Sequence, residues 1–172
     1  MRIYLIGMPG CGKSTVGHHL AEALNYNFLD LDQAIEEKEG NSIPDIFSTK
    51  GEDYFRKIEK EVLETTLPEN TVIATGGGAP CFFNNMGFIK EQGLAIFLDT
   101  PTKLLAERVL QQKGSRPLVD DQQSLENVQK ALEEKRNDRL AFYMQADYRI
   151  DTSEGTPLQL SERISAFVSK HC

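Results

Sequence analysis

The chain of 172 residues has no tryptophan, three histidines and three cysteines. Cys11, Cys81 and Cys172 form an odd set with no C-x-x-C spacing, which argues against a disulfide framework and against a zinc site. Free thiols fit a reducing compartment, so a cytoplasmic location is expected. His18 and His19 are adjacent and fall on different sides of a helix, so they read as helix surface or flank. Basic residues are in short supply too. Nineteen Lys and Arg stand against 26 Asp and Glu, a net charge of −7. That balance argues against a general nucleic-acid binder, which needs a basic stripe, and against an anionic membrane surface. Clean apolar runs such as Leu94-Ala95-Ile96-Phe97-Leu98 are strand-sized, far below the roughly 20 residues of a membrane helix. No signal peptide is expected, because Ile3-Tyr4-Leu5-Ile6 already reads as a core strand.

The remaining pattern is alternation. Strand candidates are Ile3–Ile6, Asn27–Leu29, Thr71–Ala74, Leu94–Leu98 and Tyr148–Ile150. Between them lie apolar faces at the 3–4 spacing of amphipathic helices: Val16, Leu20, Ala23 and Leu24; Phe55, Ile58 and Val62; Leu104, Leu105 and Val109. Thr100-Pro101 and Thr156-Pro157 each place a capping hydroxyl before a proline at a first helical position. The length suits one domain, residues 1–172. Alternating strands and helices predict an α/β fold with a parallel sheet covered on both faces. Ligands of such sheets sit beyond the carboxyl ends of the strands.

Gly7-Met8-Pro9-Gly10-Cys11-Gly12-Lys13-Ser14 matches G-x-x-x-x-G-K-S/T in full, between a strand and a helix. Glycines let backbone N–H groups converge on phosphate oxygens, and the helix N-terminus adds partial positive charge. The loop, residues 7–15, is therefore read as a nucleoside triphosphate site. Gly10, Cys11, Gly12, Lys13, Ser14 and Thr15 are its binding residues. Lys13 would span the β- and γ-phosphates and Ser14 would ligate Mg²⁺. Cys11 reads as a small filler. No N/T-K-x-D guanine box is present. Asp99, at the end of the Leu94–Leu98 run, reads as the close of a strand in preference to a Walker-B carboxylate.

Five further segments follow. Leu29-Asp30-Leu31-Asp32 follows the second strand. Phe55-Arg56-Lys57-Ile58-Glu59 lies on a helix. Thr75-Gly76-Gly77-Gly78 follows the third strand. Arg116-Pro117-Leu118 falls in a polar stretch, and Arg139-Leu140-Ala141-Phe142-Tyr143 ends a long helix. From the residues alone, Asp30 and Asp32 divide between the metal's water shell and an acceptor hydroxyl, with Asp32 alternatively a helix N-cap. Arg56 and Glu59 are a surface pair, or an inward guanidinium held for a carboxylate. Arg136 and Arg139 stand on an otherwise apolar helical line, where an inward charge needs an anion. Arg136 is read as a structural ion pair with Glu133 or Asp138. Three consecutive glycines suggest close backbone approach, the floor of an acceptor pocket. Gln111–Ser124 reads as a loop, either a lid or a solvated connection.

In order and spacing these segments closely resemble the shikimate kinase family over essentially the whole chain. The resemblance implies a three-layer P-loop kinase fold: a five-stranded parallel sheet, order 2-3-1-4-5, flanked by helices, with a short lid at about 112–124 and acceptor-binding helices at about 32–67. It implies ATP-dependent phosphorylation of the 3-hydroxyl of shikimate, with Mg²⁺ as cofactor, in aromatic amino acid biosynthesis. Lys13, Asp32 and Arg116 would be catalytic, with Asp32 on the acceptor hydroxyl. Asp32, Arg56, Gly76, Gly77, Gly78 and Arg139 would bind shikimate, and Arg56 and Arg139 would grip its carboxylate. Asp30 would reach the metal through water. Arg108 and the Thr152–Pro157 turn would line the adenine, and Phe47 and Phe55 would wall the acceptor ring. Ala141 departs from the pattern, standing where the family usually has proline. The expected partners are ATP and shikimate, without nucleic acid or membrane, and the expected state is a monomer. The rival readings are a kinase for another hydroxy acid such as gluconate, and a nucleotide-binding switch.

Overall fold

The computed structural model describes residues 1–65, 68–114 and 124–171, without the side chains of 112–114. Arg116, Cys172 and most of the expected lid lie outside the described residues. Five parallel strands form one sheet: β1 (Arg2–Ile6), β2 (Asn27–Asp30), β3 (Thr71–Ala74), β4 (Gly93–Asp99) and β5 (Tyr148–Asp151). Their order is β2-β3-β1-β4-β5, as the resemblance implied. β1 and β3 lie inside the sheet and are apolar along almost their whole length, as strands with two covered faces must be.

The helices are α1 (Lys13–Leu24), α2 (Leu31–Glu39), α3 (Ile43–Lys50), α4 (Glu52–Glu64), α5 (Asn85–Gln92), α6 (Thr102–Gly114), α7 (Leu125–Tyr143) and α8 (Pro157–Val168). α1 packs on α8 and β3, while α2, α3 and α4 pack on one another beside β2. The core runs from the strands into Leu20, Leu63, Leu105 and Ile164, all fully buried. Thr156 begins α8 as expected. Its hydroxyl accepts from Gln159 N, Gln159 answers to the Thr156 amide, and Pro157 occupies the first turn.

Several expectations are corrected. The buried face of α1 carries Ala21, whereas Ala23 is exposed. Helix α6 starts at Thr102, one residue past Pro101, whose carbonyl receives Leu105 N. The Thr100 hydroxyl is drawn instead to Thr152 Oγ1 at 2.6 Å. The helical ladder of α6 also continues through Gly114, into the stretch read as loop from Gln111. Helix α7 runs unbroken through Ala141 to Tyr143. Arg136 does form a structural ion pair, but with Asp99 at 2.8 Å. Asp99 closes β4 and receives Arg149 as well, at 2.6 Å, so its carboxylate is occupied by two guanidinium groups.

Candidate active site

The loop between β1 and α1 wraps a cavity of about 480 Å³ beyond the carboxyl ends of the strands. Gly12 precedes α1 at φ 97°, a conformation that favours glycine, and α1 has no side-chain cap. Its first amides are thus left to the cavity, with the positive end of the helix dipole behind them. Lys13 is buried, and its ammonium donates to the carbonyls of Gly7 and Met8, each at 3.0 Å. Ser14, Thr15 and Gly10 line the cavity, and the buried Cys11 side chain fills the loop's interior with Sγ 3.6 Å from Lys13 Nζ. Arg108 donates to the Gly10 carbonyl at 3.0 Å, and Thr152, Gly155 and Pro157 form the far wall. Thr100 ties that wall to the loop through its bonds to Thr152 and to the Cys11 carbonyl, the latter at 3.5 Å.

Asp30, not Asp32, is the N-cap of α2. Its Oδ1 accepts from the amides of Asp32 and Gln33, and its Oδ2 accepts from Ser14 Oγ at 2.6 Å. A hydroxyl and a carboxylate side by side at the loop's edge offer hard oxygen donors, which suit Mg²⁺. Among the described residues no cluster of three His, Cys, Asp or Glu could hold a metal alone. The donor set fits a cation that takes its remaining ligands from phosphate and water.

Asp32 is freed by this arrangement and lines the same cavity. Burial, and next the charge of Asp30, push its carboxyl above the usual range, while Lys13 and Arg56 pull the other way. Arg56 is buried and donates through Nη1 to Glu59 Oε2 at 2.7 Å. Its Nε and Nη2 go to the exposed Glu52, at 3.2 and 3.1 Å. The guanidinium lies 4.2 Å from the centre of the Phe82 ring and 5.1 Å from that of Phe55, with Phe47 packed at a tilt against Phe55. Glu59 is 1% exposed and its Oε1 has no hydrogen-bond partner among the described residues. Burial raises its carboxyl, and Arg56 opposes this.

The three glycines show how closely these groups converge. A methyl on Gly76 would lie 2.7 Å from Glu59 Oε1 and 2.8 Å from Asp32 Oδ1. On Gly77 it would lie 2.6 Å from Pro9 of the phosphate loop, and on Gly78 2.7 Å from both Nη atoms of Arg56. None of the three has positive φ, so space, not backbone conformation, excludes a side chain. Arg139 projects from α7 toward the same region, where its charge acts on Glu59 and Cys81. Its Nη1 is buried without a partner among the described residues, a costly state for a charged donor unless an anion joins it.

Sequence reasoning missed Phe82, Glu52 and the Asp99 clamp. Phe82 follows a glycine-rich turn and carries no spacing signal. Glu52 had one available clue, its i,i+4 relation to Arg56. Arg136 reaches Asp99 across 37 positions of chain, a distance at which no local pattern operates.

A parallel sheet, a phosphate loop and an adjoining pocket with inward carboxylates and guanidinium groups define a P-loop phosphotransferase for a small anionic alcohol. The family model for shikimate kinase matches residues 9–169. A shikimate kinase of Persephonella marina is 44% identical over 94% of this chain and 95% of its own length. That of Sulfurihydrogenibium sp. is 42% identical over 94% of each. The structure of shikimate kinase from Acinetobacter baumannii in complex with shikimate has a TM-score of 0.86 and 39% identity, covering 99% of this chain and 93% of that one. The chain belongs to the shikimate kinase family.

Proposed function

We propose that this protein transfers the γ-phosphoryl group of MgATP to the 3-hydroxyl of shikimate, giving ADP and shikimate 3-phosphate. The observation that carries the reading is the convergence on the glycine turn, where Asp32, the phosphate loop and Arg56 approach Gly76, Gly77 and Gly78 in succession. The buried, unpartnered Nη1 of Arg139 adds a place for a carboxylate. The shikimate-bound relative makes shikimate the natural acceptor to assign.

In this reading the α1 amides and Lys13 hold the phosphates, with Lys13 exchanging its bonds to Gly7 and Met8 for phosphate oxygens. Ser14, and Asp30 through water, would hold the metal, which when bound would neutralise charge on the phosphate oxygens. Arg56 and Arg139 grip the acceptor carboxylate through forked donors. Glu59 keeps Arg56 aimed from behind, and Glu52 yields its place on Arg56 to the substrate. Asp32 accepts the hydrogen bond of the reacting hydroxyl and fixes its line of attack. A loose phosphoryl transfer depends more on that alignment than on full proton removal. Arg108 and the Thr152–Pro157 turn border the base. All these groups come from one chain, as a monomeric single-domain enzyme requires. No described helix is long and apolar enough to cross a membrane, and Cys11 and Cys81 are free thiols; we assign the enzyme to the cytoplasm on that chemistry.

A coupled assay of ADP release tests the reading, with ATP alone, ATP plus shikimate and ATP plus gluconate. Release that depends on shikimate is expected. Release indifferent to shikimate, or driven by gluconate, would overturn it.

A further inference from the structure

Tyr143 is the last residue of α7 and is completely buried. Its ring packs 5.0 Å from that of Phe97 in the central sheet. Its hydroxyl donates to the carbonyl of Gly77 at 2.5 Å and lies 3.9 Å from Met8 Sδ. Gly77 in turn leaves no room for a methyl group on its Pro9 side, where one would lie 2.6 Å from the ring of that residue, which follows Met8. One phenolic oxygen therefore sits where three pieces of the site meet: the glycine turn, the phosphate loop and the helix that carries Arg139 one turn earlier. Burial pushes the phenol up, with the Arg139 charge opposing.

A buried hydroxyl is costly unless bonded, and a phenylalanine would fill the same volume without that demand. The carbonyl has the reciprocal need. Gly77 lies past the end of β3, outside the strand pairing, and its oxygen accepts from Tyr143. Without the hydroxyl, a half-buried acceptor loses its side-chain donor and the turn is free to rotate away from Pro9. A shift there changes the separation of acceptor and phosphate loop without removing any group that touches either substrate.

We propose that Tyr143 is a positioning residue that sets the spacing between acceptor hydroxyl and γ-phosphate through the Gly77 carbonyl. The inference rests on the functional reading above. It separates alignment from binding. Misplacement by about 1 Å costs on the order of 10²-fold in rate, while the phosphate amides and Arg56 stay in place.

The test is Tyr143→Phe, measured for kcat, both KM values, ATP affinity by titration and the ratio of ADP released to shikimate 3-phosphate formed. The expected result is a kcat lowered about 10- to 100-fold, substrate affinities within about twofold of wild type, and an ADP-to-product ratio above one as water replaces the misaligned alcohol. Gly77→Ala supplies a second perturbation of the same joint, from the Pro9 side; because it also crowds the acceptor pocket and the phosphate loop, its readout is the coupling ratio alone, which should rise above one. A wild-type kcat and ratio in Tyr143→Phe would overturn the inference. So would a loss that follows both KM values, or one that merely follows a fall in folded protein. If Tyr143→Phe fails to fold, Gly77→Ala decides alone, and full coupling there refutes the spacing role. Wild-type enzyme that ignores shikimate would remove the functional reading and this inference together.

Discussion

Asp32 and Arg139 show what single residues give up for chemistry. Asp32 is held in a buried site beside Asp30, so its carboxyl lies above the usual range. A carboxyl raised by folding favours the native state most when protonated. Its contribution is present below the unfolded pKa and is lost as pH rises through the folded one. Near neutral pH the ionised group is therefore a burden on stability. Asp32→Asn is expected to abolish most phosphorylation, by about 10²-fold or more, and to raise the melting temperature at pH 8. That gain should shrink as pH falls through the raised pKa, which thermal scans across a pH series will read. An unchanged or lowered melting temperature at pH 8 would contradict the burial argument. For Arg139 the expectation concerns binding. Arg139→Lys keeps the charge but loses the planar fork. The shikimate KM should rise about tenfold or more while ATP affinity is unchanged, and steady-state kinetics with a nucleotide titration will separate the two.

At the scale of elements, what was legible in the sequence was local. The phosphate loop is a contiguous signature between β1 and α1, and the strand candidates fall within a residue or so of their observed bounds. Thr71–Ala74 is the same in both. The capping of α8 by Thr156 was readable because a hydroxyl, a proline and a Gln three residues on all act within one turn. The same rule failed at Thr100, because a partner 52 positions away, Thr152, took the hydroxyl. It failed again at the start of α2, where the choice of Asp30 over Asp32 as cap depends on Ser14 arriving from α1. Arg56 was readable as inward from its flanking apolar residues. The stacking of Phe82 on it was not, since that contact requires the turn after β3 to fold back over α4. Tertiary contacts overruled local preference in each of these cases.

For the whole molecule, the sheet order assigns the two substrates to different neighbours. Pockets that belong to the native state alone stabilise it by mass action. ATP with Mg²⁺, or shikimate, at a hundredfold its dissociation constant should add about 2.7 kcal/mol, roughly 5–10 °C in melting temperature for a domain of this size. Gluconate at equal concentration should leave the transition where it was. A shift with gluconate as large as that with shikimate would place the selectivity of the enzyme somewhere other than its ground-state pocket.

The glycine turn after β3 is the hinge line of a division of labour. On one side, in the reading proposed above, helices α2 to α4 and the β2–β3 edge would shape the alcohol pocket; on the other, β1, β4 and β5 would frame the nucleotide. Pro9 against Gly77 is a narrow border between them. Mutations that retailor residues of α3 and α4 toward a new acceptor would accumulate without disturbing how the phosphate donor is seated, whereas the start of α2 is tied to the phosphate loop through Asp30 and Ser14. A lineage built on this plan is thus free to diversify its customers while keeping one engine, so long as that border stays free of side chains.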